Sequence, residues 1–185
     1  MKKFLTTLES ISPYSQSRHH AIEKDPKETH EDYEKRTWRN KVNENEDGFI
    51  VIPSMAFKNC LSEAAKFISQ QIPGKGKSTY TKHFEAGILV TDSLVLPVKK
   101  NDVAGEWHHV PSDGMRGGSK RVMKCFPVIP TWKGDVLFYI LDETITLEVF
   151  EHHLKEAGNF IGIGRFRPRK NGFYGRFKIL SIKEV

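Results

Sequence analysis

The sequence predicts an α+β fold in which two helices alternate with strands in the order βαββαβ, interrupted by two polar insertions. Three observations predict it. Two stretches carry apolar residues at helical spacing: Phe57, Leu61, Ala64, Ala65 and Ile68 in one, Leu147, Phe150, Leu154 and Ala157 in the other. Apolar or β-branched runs of strand length flank both. The polar text of 19–46, and the polar, glycine-bearing text that opens 99–130, fall outside that pattern.

The chain opens with a strand over 4–11, where Phe4, Leu8 and Ile11 alternate imperfectly with Leu5, Thr7 and Glu9. Pro13 and the neighbouring serines end it in a polar loop, because proline removes a ladder donor and serine favours turns. Residues 19–46 are an excursion with a short helix over 31–39 and Tyr33 and Trp38 as its large aromatics. Its mixed charge assigns it to a solvated face.

A short strand at 49–52 is stopped by Pro53. Ser54 is placed as the N-cap of the first helix, which ends near Gln71 ahead of Pro73-Gly74. The basic loop 74–79 is not a P-loop, since Gln71 stands where that motif needs its first glycine and a helix precedes it in place of a strand. Residues 84–90 and 93–98 read as two more strands joined at Thr91-Asp92. Within 99–130, Arg116, Lys120, Arg121 and Lys124 form a basic run with no intervening acid. It is either a second contact surface or a solvated hairpin tip. An apolar strand over 136–141 fits burial on both faces. Thr146 caps the second helix, Gly158 ends it, and 177–182 is the last strand. With its insertions set aside, this is the order of a ferredoxin-like fold, in one domain spanning 1–185.

Composition narrows the function. A net charge of +6 on 185 residues suits a polyanionic partner. Cys60 and Cys125 are far apart, without CxxC spacing, so neither a disulfide framework nor a zinc site is indicated and both read as buried thiols. No apolar run reaches membrane-spanning length, and the N-terminus meets Glu9 before any signal-peptide core, so a soluble, cytoplasmic protein is expected. No motif calls for a cofactor or a metal. The pairs His108-His109 and His152-His153 make poor metal clamps, because adjacent residues point in different directions.

The segment 162–177 stands apart. It holds Gly162, Gly164, Gly172 and Gly175, and no acid occurs from Asn159 to Lys183. Following a helix and preceding a strand, it cannot be a dinucleotide fingerprint, which opens a helix after a strand. Glycines permit positive φ and let a nucleic-acid backbone approach main-chain amides. Arg165, Arg167, Arg169, Lys170 and Arg176 can neutralise phosphates, while Phe166, Phe173 and Tyr174 can stack on splayed bases. If Phe173 and Phe177 point inward, alternation turns Tyr174 and Arg176 outward. The competing reading is a tight basic hairpin whose aromatics are core.

Three parts of the sequence resemble the repeat-associated mysterious protein (RAMP) superfamily, the family of CRISPR effector backbone subunits and guide-processing endoribonucleases. They are 52–61, entering the first helix through Pro53-Ser54; 145–158, the second helix; and Gly162-Ile163-Gly164-Arg165 with Gly172 to Phe177, similar to the family's glycine-rich loop. The resemblance implies an RNA-recognition-motif-like fold and single-stranded RNA, or DNA, as partner. It also implies other RAMP-like subunits, or further copies along the nucleic acid, as protein partners, and allows a stand-alone or viral relative. Contacts would fall on the glycine-rich segment with Arg18, Arg116, Lys120 and Arg121. Processing enzymes of the family place a histidine general base after the first strand, where His19 and His20 stand. The sequence thus carries a single-strand binder as its main reading. A metal-independent endoribonuclease, or an inhibitor module that mimics a CRISPR effector subunit, are the alternatives.

Overall fold

In the computed structural model, which describes residues 1–112 and 120–185, strands and helices are mixed along the whole chain. Strand β1 (Lys2–Ser10) and the two-residue β2 (Tyr14–Ser15) are followed by helix α1 (His30–Thr37) and a 3-10 turn (Trp38–Lys41). Strand β3 (Phe49–Ile52) leads into α2 (Ser54–Ile68), α3 (Thr81–Ala86), β4 (Ile88–Leu89) and β5 (Leu94–Lys99). The remainder is β6 (Ala104–Pro111), β7 (Arg121–Ile129), β8 (Lys133–Ile140), α4 (Leu147–Glu156), a π-helical turn (Ala157–Ile161) and β9 (Phe177–Glu184).

Strand alternation sets the main sheet, whose order is β4-β8-β1-β9 with every pair antiparallel. Phe4 lies opposite Phe138 and Leu8 opposite Gly134. The inward set, Phe4, Leu8, Val136, Phe138 and Ile140, is buried. Helices α2 and α4 cover it: Phe150 meets the rings of Phe4 and Phe138 at 5.0 and 5.1 Å, and Phe57 meets Trp132 and Phe177 at 6.2 and 6.5 Å. Each such side chain contributes about 2–3 kcal/mol by leaving water. Two smaller sheets, β2-β7-β6 and β3-β5, carry the rest.

Several expectations change. Residues 84–90 are not one strand. Helix α3 runs through Ala86, putting Phe84 in the core and Glu85 against Lys66 at 2.6 Å, and only Ile88–Leu89 pair with β8. The text after Lys99 is a hairpin, β6 with β7, whose ladder runs from Ala104–Val128 to Pro111–Arg121. Most of β6 is exposed, so no apolar alternation announced it. The excursion does reach the core: Trp38 and Val42 are buried, and Glu34 accepts from both Lys41 Nζ and the Cys125 amide. Its helix lies at His30–Thr37, capped by Thr29. Pro53, not Ser54, holds the N-cap position of α2, with no side-chain cap bond, and α2 stops at Ile68 with Ser69 left-handed. Thr146 caps α4 as expected, accepting from the Val149 amide. Gly158 does not end that helix; a Cβ there would sit 2.1 Å from Phe177 O, so the glycine lets the π-turn press onto β9. Both cysteines are buried thiols. Among the described residues no helix is long and apolar enough to cross a membrane.

Candidate nucleic-acid interface

The glycine-rich segment is shaped by its own backbone. Gly162, Gly164 and Gly175 have φ of 70, 78 and 77°, and a Cβ would lie 2.4 Å from Ser15 O at Gly164 and 1.8 Å from Ile163 O at Gly175. Gly172 packs the same way onto Phe166 O, at 1.9 Å. These glycines therefore admit the chain's own carbonyls. The amides follow suit: Ile163 donates to Gly175 O, Arg165 to Ser15 O, Tyr174 to Phe166 O and Gly175 to Pro13 O, at 2.7–3.0 Å. The segment is thereby stitched to β2 and to the turn after β1.

Its aromatics are arranged opposite to the alternation expected from the sequence. Tyr174 is buried and Phe173 is exposed, because the strand begins only at Phe177 and 162–176 follows the positive-φ turns instead. The Tyr174 hydroxyl donates to Glu106 of β6. Burial, reinforced by that carboxylate, pushes the phenol up to about 12, so it stays a donor. This bond fastens the hairpin to the segment.

Arg165 emerges from this scaffold. Its guanidinium lies 3.3 Å from the centroid of the Phe126 ring, and Lys41 Nζ lies 4.5 Å from the same centroid. Burial lowers the Arg165 pKa, but from a value so high that the group stays charged. Lys41 is held by Glu34 and Cys125 O, at 2.8 Å from the latter, and burial lowers its pKa in spite of the carboxylate.

Two clefts meet at Arg165. The larger, about 450 Å³, is bounded by Tyr14, Gln16, Arg18, Asn43, Asn59 and the first turn of α2. That turn has no acidic residue, so the positive end of the helix dipole is not neutralised there. The second, about 390 Å³, is bounded by Lys41, Lys124, Phe126 and Pro111. Ser17 and Arg165 belong to both. Arg18 and Lys124 make no ion pair among the described residues. Lys124 and Phe126 stand on the same face of β7, two residues apart.

The candidate residues of the sequence separate into groups. Gly164, Arg165 and Arg18 share the larger cleft. Arg167 and Arg169 both reach Glu63 of α2, at 2.8 and 3.3 Å, one turn beyond Asn59 on the same face of that helix. Arg176 turns away, donating from Nε to Asn159 O. Lys120 and Arg121 are exposed where the β6–β7 ladder ends at the Pro111–Arg121 pair, and Arg116 lies outside the described residues. Lys170 is exposed in a 3-10 turn. His19 is exposed; His20 packs on the Tyr33 ring at 6.2 Å, where burial first, then Lys41, lowers its pKa. Neither lines the two clefts. Among the described residues no cluster of three or more metal-ligating side chains occurs. Sequence reasoning missed Phe126, Asn43 and Asn59. Only the strand period joining Lys124 to Phe126 could have flagged the first.

No family model matches the chain, and no curated protein matches it in sequence. Among solved structures, the whole chain aligns with 61% of a chain in the cryo-EM structure of the Type III-B Cmr-beta bound to cognate target RNA, with a TM-score of 0.56 and 11% identity. This chain therefore spans about three fifths of that one's length and shares its fold. A chain of a CRISPR RNA-guided surveillance complex aligns over 97% of this chain and 67% of its own, at 8% identity and a TM-score of 0.38.

Proposed function

We propose that this chain is a RAMP-like protein that binds single-stranded nucleic acid, RNA in particular, in the double cleft around Arg165. The observation that carries the reading is the convergence of Arg18, Lys124 and Arg165 on adjoining clefts floored by the Phe126 and Tyr14 rings. Cations that track a backbone, next to aromatic surface and amide side chains, are what sequence-tolerant single-strand sites are made of. The sheet order supports the ferredoxin-like part of the proposal: read from β9 through β1 and β8 to β4, with α2 and α4 on one face, it matches βαββαβ with the hairpin as an addition. RNA is favoured over DNA because the Type III-B Cmr-beta, whose chain shares this fold, was solved with target RNA.

In this reading the glycine-rich segment is a scaffold. It holds Arg165 at the junction of the clefts, and its side chains rather than its amides meet the ligand. Partner subunits of RAMP type, or further copies along one strand, are the assembly it implies.

The test is a salt-titrated binding measurement with an oligouridine of about 20 nucleotides. Replacing Arg18, Lys124 and Arg165 together by alanine is expected to weaken binding more than tenfold and to flatten the log–log salt slope by about 2, at roughly 0.7 per lost phosphate contact. An unchanged slope and affinity in a variant that melts like the wild type would overturn the assignment.

A further inference from the structure

A third cleft, about 420 Å³, lies beyond Asn59 along α2 and is bounded by Ser62, Glu63, Lys66, Phe67 and Arg169. Asn59 belongs to this cleft and to the larger one at Arg165, so the three form a continuous track. From Met55 to Phe67 the helix advances about 18 Å, room for roughly five nucleotides at the stacked rise of 3.4 Å.

At its far end stand two exposed rings. Phe67, on the last turn of α2, and Phe160, in the π-turn, are 53% and 50% exposed, with centroids 5.8 Å apart and planes inclined by 31°. Phe160 owes its position to the wide turn: Gly162 N donates to Ala157 O, five residues back, which adds a residue to the turn after α4 beside α2. The Arg169 guanidinium lies 5.9 Å from the Phe67 centroid. Glu63, the acid of this cleft, is paired by Arg167 and Arg169, which offsets its charge. Lys66 spans from the cleft to Glu85.

We propose that Phe67 and Phe160 form a stacking platform for an unpaired nucleobase at the end of the track that starts at Arg165. The inference rests on the single-strand reading above. Two half-exposed rings inclined at a shallow angle, next to a guanidinium, present a π-face that any base can cover. Protein interfaces place their aromatics in a core depleted of charge. Here the two rings stand beside a cleft whose other lining groups are amide, hydroxyl and charged, which favours a base over a peptide.

The experiment pairs Phe67→Ala/Phe160→Ala with two probes of about 12 nucleotides, an oligouridine and a strand of the same length carrying abasic positions throughout. The double variant is expected to bind the oligouridine about 5- to 100-fold more weakly, with an unchanged salt slope because no phosphate contact is removed. It should bind the abasic strand as the wild type does. Phe67→Trp is expected to retain affinity, with its fluorescence quenched by the oligouridine. Oligouridine affinity equal to that of the wild type, with the Arg18/Lys124/Arg165 variant still defective, would overturn the platform and leave the cleft reading standing. A change in self-association or partner capture without a change in oligouridine affinity would make the rings a protein-docking patch and overturn it too. A wild-type protein that binds neither probe overturns both readings.

Discussion

Gly175 and Gly74 share a positive φ, 77 and 74°, but they differ in what surrounds them. A Cβ at Gly74 meets nothing within 4 Å, whereas at Gly175 it would sit 1.8 Å from the Ile163 carbonyl oxygen. Gly74→Ala should therefore cost only the left-handed strain, about 1 kcal/mol. Gly175→Ala should cost about 3 kcal/mol, adding the displacement of a backbone that also carries the Ile163 N–H to Gly175 O bond. Urea unfolding of the two variants measures the difference, and equal losses would mean that the segment is not packed on itself as described. The glycines of 162–175 were visible in the sequence as positions of unusual backbone. What their freedom serves was not: the carbonyl that crowds Gly164 belongs to Ser15, far away in sequence, and no local pattern encodes that approach.

At the level of elements, α4 shows how a helix chosen by its apolar spacing can also bury a titratable group. His153 is fully buried, its Nδ1 donates to Val149 O at 2.7 Å and its ring stacks on Phe84 at 4.2 Å, while Nε2 has no partner. Burial, outweighing the bond to Val149 and aided by His152, holds its pKa below the ordinary imidazole value. The unfolded chain then takes up the proton more readily, so stability is full above about pH 6.5 and falls as the pH drops below it, by up to about 1.4 kcal/mol per unit. His153→Leu should shrink the stability difference between about pH 7.5 and about pH 5.5 by about 1 kcal/mol, read from urea titrations at the two values. The elements with one clear apolar face, β1, α2 and α4, could be read from periodicity, whereas the run 136–141, expected to be buried on both faces, buries only Val136, Phe138 and Ile140 in β8 and leaves Leu141 exposed beyond its end. Two further elements could not be read this way. Helix α3 is six residues long, too short to show a period, and the aromatic Phe84 gives it a strand-like look. Strand β6 buries neither face, so only its ladder to β7 makes it a strand.

The whole molecule joins these parts into one surface, and its continuity has a measurable consequence. The cations of the double cleft lie at one end of α2, and the Phe67–Phe160 rings at the other, with Asn59 shared between the clefts on either side. The stretch Ser17-Arg18 after β2, the β7 strand, the glycine-rich segment and α2 each contribute, which is why no single stretch of sequence displayed the site. A strand that occupies only the double cleft gains its phosphate contacts and forgoes the far end. Affinity should therefore rise steeply with oligouridine length up to the point where the track is filled. About 18 Å along α2 plus the double cleft corresponds to roughly eight to ten nucleotides at the stacked rise. Beyond that length, only the statistical gain from additional binding registers should remain. Fluorescence anisotropy with oligouridines of about 4, 8, 12 and 24 nucleotides measures this directly. A plateau already reached at about 4 would confine binding to the cleft around Arg165, and affinity still climbing steeply from about 12 to about 24 would call for several copies along one strand.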